Sequence, residues 1–253
     1  MYFHEQTYDL NVLIRQNLHI HSSFSSCASN EMKLCDIVKT AEKAGLEAIA
    51  VTDHVHVGYE EQFNQEVSIL RTQLTEFESG IKVYIGAELS AYGTQNFSYN
   101  GKMPEFDYRL WAQNHYHAGD WIHPEDKSIE GYKKHMIQTL CNLIKSGTAD
   151  CIAHPFHDDY LANASQKPNG FYKSCIPDSF TDNEIGDLLT LGREHETAFE
   201  INLNAMTGYP QFCRRMYNLG KEAGVCFNIG TDAHKLDRID TKQFLDRAKA
   251  ILL

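Results

Sequence analysis

Asn17-Leu18-His19-Ile20-His21 is the first strand-like run of the chain, and it carries two histidines two positions apart. Side chains at positions i and i+2 of an extended segment point to the same side, so both imidazoles can reach one metal ion. Near the other end of the chain, Asp232-Ala233-His234 repeats this spacing after the last strand-like run. The two pairs predict a metal site built from strand ends that are far apart in the sequence.

Between these pairs, short apolar or β-branched runs alternate with segments of helical period. Seven strands are predicted, at residues 17–21, 48–52, 82–89, 108–112, 151–153, 198–202 and 226–230. Helices are predicted within residues 34–44, 63–77, 129–144, 181–189 and 212–223 and from Thr241 onward. This alternation is typical of βα units around a parallel sheet or barrel, so we expect an α/β barrel of seven strands.

Two long segments lack a clear period and are predicted to be loops over the site, at residues 91–104 and 155–180. Loops of this kind often carry binding residues on a rigid scaffold. Their candidate pocket residues are Tyr92, Asn96, Tyr99, His157, Tyr160 and Tyr172.

Length and composition indicate one domain spanning residues 1–253, because 253 residues with 42% hydrophobic side chains can bury a large core. No run approaches the roughly 18 apolar residues of a membrane span, so we expect a soluble, cytoplasmic protein with no membrane partner. The seven cysteines are odd in number and show no C-x-x-C pair, which favours reduced thiols over a disulfide framework.

The formal net charge of -11 argues against a surface that binds nucleic acid by neutralising phosphates. It is compatible with a small phosphorylated substrate, because about three bound divalent cations would add roughly +6 inside the site. The sequence gives no indication of the oligomeric state.

In barrels of βα units the carboxyl ends of the strands form one face, where active sites are built. Most predicted strands of this chain end in a residue that can ligate a metal through nitrogen or oxygen, a donor set that suits Zn, Mn or Fe. These residues are His19, His21, His54, Glu88, His115 or His117, His154, Asp232 and His234, while the sixth strand ends in Asn202.

Some positions leave alternatives open. Asp53 or His56 could take the place of His54, and His117 could take the place of His115. A lone histidine is more often a surface or hydrogen-bonded core residue than a ligand. Glu88 is different, because a carboxylate at the end of an apolar run is costly to bury unpaired and a metal removes that cost.

Seven short motifs of the sequence are, in chain order, Leu18-His19-Ile20-His21-Ser22-Ser23, Ile49-Ala50-Val51-Thr52-Asp53-His54, Gly86-Ala87-Glu88, Phe106-Asp107-Tyr108, Ile152-Ala153-His154-Pro155, Phe199-Glu200-Ile201-Asn202 and Ile229-Gly230-Thr231-Asp232-Ala233-His234-Lys235. Their combination resembles the PHP (polymerase and histidinol phosphatase) superfamily, and the ending of the last motif resembles histidinol phosphatases.

The resemblance implies a distorted seven-stranded (β/α)7 barrel that binds up to three metal ions. Three ligand groups follow from it: His19, His21, Glu88 and Asp232; Glu88, His115 and His154; and His54 with His234. Two features depart from the family pattern. Cys27 stands where trinuclear relatives have a further histidine, and it could ligate a metal or be a buried structural cysteine. The spacing from Phe106-Asp107-Tyr108 to His115 is one residue longer than expected, which keeps His117 open.

We therefore expect a metal-dependent phosphoesterase that hydrolyses a small phosphomonoester through a metal-activated hydroxide, with two or three divalent ions of Zn, Mn or Fe. Histidinol phosphate is the best named substrate. Asp53 or His157 could transfer the proton, and Lys235 and Asn202 could contact the substrate. Two alternatives are an amidohydrolase-type C–N or lactone hydrolase and a non-catalytic regulatory domain stabilised by metal.

Overall fold

A computed structural model describes residues 6–55, 57–95, 97, 99 and 105–253. Its seven strands form one parallel sheet in which each strand pairs with the next one in the sequence. The sheet is nearly closed, so the prediction of a seven-stranded α/β barrel is confirmed. The strands are β1 (Gln16–Ile20), β2 (Ala48–Val55), β3 (Lys82–Ser90), β4 (Tyr108–Ala112), β5 (Cys151–Ala153), β6 (Ala198–Asn202) and β7 (Phe227–Gly230).

Helices connect most of the strands and cover the outside of the barrel. They are α1 (Leu10–Leu13), α2 (Leu34–Lys43), α3 (Glu60–Thr75), α4 (Ile129–Lys145), α5 (Cys175–Ser179), α6 (Asp182–Glu194), α7 (Pro210–Ala223) and α8 (Leu245–Leu252). A capping box formed by Thr181 and Glu184 begins α6. Within the described ranges, no helix combines the length and apolar character needed to cross a membrane.

The alternation of side chains along each strand divides the apolar residues into two clusters. In β6, Phe199 and Ile201 belong to the large cluster between sheet and helices. Ala198 belongs to a smaller cluster with Leu18, Tyr108, Cys151 and others, which fills the inside of the barrel. The same inward alternation places Glu200 and Asn202 on the inner side of β6, towards the carboxyl end.

The barrel closes where β1 meets the segment after β7. Ile20 pairs with Ala233 in parallel orientation. The His21 amide donates a hydrogen bond to the Ala233 carbonyl at 2.9 Å, and the Ala233 amide donates to the His19 carbonyl at 3.2 Å. This pairing brings the first and last ligand-bearing segments side by side.

The structure differs from the sequence prediction mainly in the loops and at element ends. The predicted loop 155–180 contains a short 3-10 helix at Asp159–Asn163 and the five-residue helix α5, because local turns satisfy its backbone groups. The final helix begins as a 3-10 turn at Thr241–Phe244 before α8. The strand β2 extends to Val55, three residues beyond its prediction, since β3 pairs with it throughout.

Candidate metal centre

Glu88 lies at the centre of the residues that the strand ends bring together. It belongs to β3, and the side chain is 1% exposed. Its carboxylate oxygens lie within 3.5 Å of imidazole nitrogens from four strand ends. The closest nitrogens are those of His54 at 2.9 Å, His154 at 3.0 Å, His115 at 3.3 Å, and His19 and His21 at 3.5 Å each.

The side chains around Glu88 form a ring of metal-donor groups at the mouth of the barrel, and Asp232 completes this ring on the β7 side. Its Oδ1 lies 3.0 Å from His21 Nε2 and 3.4 Å from His19 Nε2. Both Asp232 and His154 have positive φ angles, 53° and 28°, which non-glycine residues adopt rarely and mostly where the surrounding structure imposes them. At these two strand ends the backbone turns sharply, so that the side chains remain at the mouth of the barrel.

A third set of donors lies at the outer edge of the ring. The rings of His21 and His234 stack with centroids 4.4 Å apart, and the rings of His21 and His54 are also 4.4 Å apart. His234 Nε2 lies 3.0 Å from Cys27 Sγ. Cys27 is exposed, so it does not have the place of a buried structural cysteine.

Hydrogen bonds behind the ring orient several imidazoles. Glu200 Oε1 lies 2.8 Å from His19 Nδ1, and Glu200 Oε2 accepts a 2.5 Å hydrogen bond from the His154 amide. Ser90 Oγ lies 2.7 Å from His115 Nδ1. Such partners determine which ring nitrogen faces a metal, and they leave Nε2 of His19 and His115 directed towards Glu88.

Glu200 is the residue that sequence reasoning missed. It lies within Phe199-Glu200-Ile201-Asn202, where the sequence prediction names only Asn202 as a strand-end candidate. A signal is present, because a carboxylate in the middle of a buried strand between Phe199 and Ile201 must find a partner. The same reasoning identifies Glu88.

Burial controls the charge of two imidazoles in the ring. Burial, together with the nearby His54, lowers the pKa of His21 to about 3, although Asp232 contacts it. Burial lowers the pKa of His115 to about 4 against the opposing effect of Glu88. Neutral imidazoles have a free lone pair, which is the form that ligates a metal.

At other positions of the ring, interactions between carboxylates and imidazoles outweigh the effect of burial on the pKa. Burial alone would lower the pKa of His19, but Glu200, Asp232 and Glu88 raise it well above its usual value. Burial alone would raise the pKa of Glu88, but His54, His19 and the other imidazoles hold it well below its usual range. Glu88 is therefore ionised at the centre of the ring.

The donor set fits divalent cations. The Nε2 atoms of His19 and His21 face each other at 3.2 Å beside a carboxylate, an arrangement that a cation between them satisfies. His154 Nδ1 is a buried atom without a hydrogen bond in the described chain. Four groups of at least three donor atoms within 4.8 Å of one another occur among these residues: His21, His54, His234; His19, His21, Glu88; His19, His154, Asp232; and His54, Glu88, His115.

Asp53 and His157, the candidates for proton transfer, lie in different surroundings. Asp53 is buried, and its carboxylate accepts hydrogen bonds from the Ser22 amide at 2.7 Å and from the Ser22 and Ser25 hydroxyls at 2.6 Å. His157 is buried with its ring stacked on Tyr209 at 4.4 Å. Burial lowers the pKa of His157 to about 3.

The candidates for substrate contact also differ. Asn202 donates to Glu200 at 3.3 Å and accepts from the Ala205 amide at 3.0 Å, so its amide is engaged behind the ring. Lys235 is exposed directly after His234. His117 is exposed with its ring 4.8 Å from that of Tyr160, whereas His115 is buried against Glu88. His56 and Asn96 lie outside the described residues, as do parts of the loop 91–104.

Similar proteins were found by sequence and by structure. A probable phosphatase of Vibrio campbellii is 26% identical over 233 residues, which cover 87% of this chain and 78% of the relative. A probable phosphatase of Aliivibrio fischeri is 24% identical over 245 residues, 91% of this chain and 81% of that protein.

Among solved structures, histidinol phosphate phosphatase from Lactococcus lactis, complexed with Zn, L-histidinol and phosphate, aligns with a TM-score of 0.59 and 19% identity. The alignment covers 92% of this chain and 93% of that one, and it shows a shared fold. The model of the PHP domain matches residues 17–154, more than half of the chain.

Proposed function

This chain belongs to the PHP domain family, and from that premise we propose that it is a metal-dependent phosphatase that hydrolyses a small phosphomonoester. The observation that carries the proposal is the buried, ionised Glu88 with five imidazoles around it at the carboxyl face of the barrel. The similarity to probable phosphatases supports phosphatase activity. We also propose that residues 1–253 form one domain, since all seven described strands belong to one sheet.

We propose that the ring holds two or three divalent ions, of Zn, Mn or Fe, in three overlapping groups. Glu88 is shared between the group with His19, His21 and Asp232 and the group with His115 and His154, in keeping with its central position and its ionised state. Cys27 joins the third group because of its contact with His234. The groups are His19, His21, Glu88 and Asp232; Glu88, His115 and His154; and His54, His234 and Cys27.

When bound, such ions would lower the pKa of a water molecule towards about 7 and neutralise charge on the phosphoryl oxygens. The chain contributes orientation and proton transfer. Asp53 holds the segment Ser22–Ser25 through both of its oxygens, which suits a positioning role. Asp53 and His157 are both proposed for proton transfer to the leaving alcohol; Nδ1 of His157 has no hydrogen bond in the described chain, but the lowered pKa keeps this ring neutral near pH 7.

Histidinol phosphate is the best named substrate. The Lactococcus lactis enzyme is a histidinol phosphate phosphatase, and its structure contains L-histidinol and phosphate. Lys235, exposed beside the ring, is proposed to contact the substrate phosphate, and Asn202 is proposed to shape the inner side of the site through Glu200.

The proposed function is tested by reconstituting the protein with Mn, Fe or Zn and screening small phosphomonoesters, including histidinol phosphate, for phosphate release. Asp232→Asn removes the carboxylate that lies between His19 and His21, so we expect kcat/KM to fall about 100-fold or more. Asp237→Asn is the matched control, because Asp237 is exposed three residues after His234. Absence of hydrolysis for every phosphomonoester and metal would overturn the proposal.

The assignment of Cys27 is tested by cobalt substitution. A thiolate ligand gives Co²⁺ a strong sulfur-to-metal absorption band in the near ultraviolet, which nitrogen and oxygen ligands do not give. We expect this band in the cobalt protein and its loss in Cys27→Ser, while Cys35→Ser, a change in the following helix, retains it. If the Cys27→Ser protein keeps the band, Cys27 is not a ligand.

A further inference from the structure

A small cavity opens beside His54, between the loop after β1 and the first half of α3. Its volume is about 180 Å³. Sites for drug-sized ligands are roughly 300–1,000 Å³, so this cavity suits a short chemical group. Its walls include three aromatic rings and one carboxylate, from Phe24, Tyr59, Phe63 and Glu66.

Glu66 is the unbalanced charge of the cavity. It is partly buried, and desolvation raises the pKa of its carboxyl group. Its carboxylate accepts a 2.8 Å hydrogen bond from the Gln62 amide, and no basic side chain of the described residues forms an ion pair with it. His54, at the inner end of the cavity, is paired instead with Glu88 at 2.9 Å.

Aromatic faces next to a carboxylate form a favourable environment for an organic cation. The ring face attracts the positive charge electrostatically, and the carboxylate adds a second attraction. Tyr59 is 62% exposed and Phe63 3%, so one ring lies at the mouth of the cavity and one at its base. A neutral alcohol gains nothing from Glu66, and an anionic group is repelled by it.

We propose that this cavity receives the leaving alcohol of the phosphomonoester and selects an alcohol that carries a positively charged amine. The inference rests on the proposed function, because it places the phosphoryl group at the metal centre next to His54. Glu66 is then the residue that determines specificity, and Phe24 and Tyr59 contribute the aromatic surfaces.

The test compares two substrates of nearly equal shape, phosphocholine and 3,3-dimethylbutyl phosphate, which differ in one positive charge. For the metal-reconstituted protein we expect kcat/KM to be about 10-fold higher for phosphocholine, a factor typical of a partly solvated cation site. Glu66→Gln should reduce this ratio to about 1. Glu61→Gln changes the same charge on the exposed side of α3 and should leave the ratio near 10.

The comparison of substrates is accompanied by a binding measurement that does not depend on turnover. Calorimetric titration of the reconstituted protein with choline and with 3,3-dimethylbutan-1-ol should show about 10-fold tighter binding of choline, lost in Glu66→Gln. Equal affinities, or a preference that Glu66→Gln leaves unchanged, would overturn the inference even if both esters are hydrolysed. Preferential choline binding without any ester hydrolysis would support the cation site and count against the proposed phosphatase function.

Discussion

Glu200 contacts two residues of the candidate metal centre from behind. One of its oxygens lies 2.8 Å from His19 Nδ1, and the other accepts the His154 amide at 2.5 Å. It therefore links the ends of β1 and β5 across the inside of the barrel. With Nδ1 of His19 facing Glu200, Nε2 is the nitrogen that faces Glu88 and Asp232, and it would ligate a metal after losing its proton.

We predict that Glu200→Gln weakens metal binding about 10- to 100-fold, because the amide keeps the size of the side chain but loses the charge that orients His19. Metal affinity is measured by competition with a chromophoric chelator. Glu194→Gln, an exposed change at the end of α6, serves as the control. Unchanged metal affinity in Glu200→Gln would show that Glu200 has no positioning role.

At the scale of the element, β7 has no room for a side chain at Gly230, where it passes between β1 and β6. Gly230 pairs with Asn202 of β6. A Cβ atom at Gly230 would lie 2.0 Å from Glu200 Oε1 and 2.6 Å from His19 Cβ, closer than real Cβ contacts. Only glycine lets the three strands approach closely enough for Glu200 to reach His19.

Gly230→Ala is therefore expected to lower the free energy of unfolding by about 1–3 kcal/mol and to weaken metal binding, since backbone or side chains must shift. Gly186→Ala is the matched control, because a Cβ there meets nothing within 4 Å and the residue lies inside α6. That control should stabilise the protein by about 0.5–1 kcal/mol. Urea unfolding measures both variants, and equal stability of Gly230→Ala and the parent would contradict the close approach.

For the whole molecule, the decisive contact is the closure between the first and last strands. The buried Asn17 amide donates to Thr231 Oγ1 at 2.7 Å and to the Ile239 carbonyl at 2.9 Å. Its oxygen accepts from the Thr231 amide at 3.2 Å. One side chain thus joins β1 to the chain after β7, next to the candidate ligand pairs of both segments.

Asn17→Ala should lower the free energy of unfolding by about 2–4 kcal/mol, because the hydrogen bonds of this side chain are lost and buried partners remain unsatisfied. Urea unfolding provides the measurement. Asn11→Ala, an exposed change in α1, should alter stability by less than about 0.5 kcal/mol. If Asn17→Ala is as stable as the Asn11→Ala control, closure does not depend on this side chain.

Much of this organisation could be predicted from local patterns. An apolar run with Glu88 near its end predicts the third strand, and a run with two histidines at a spacing of two predicts the first, so element type and candidate ligands follow from short segments. The short helix α5 and the choice between His115 and His117 could not be predicted in this way. Both depend on how a loop packs on the barrel, which local periodicity does not encode.

The sequence alone determined the seven strands, most of the helices between them and the candidate ligands, because periodicity and residue type are local properties of the chain. Only the tertiary structure decided which donors meet: Glu88 at the centre, Glu200 behind His19, Cys27 against His234 and Glu66 in the cavity beside His54. The physical reason is barrel closure, since the distances between these side chains depend on how distant strands pair and pack.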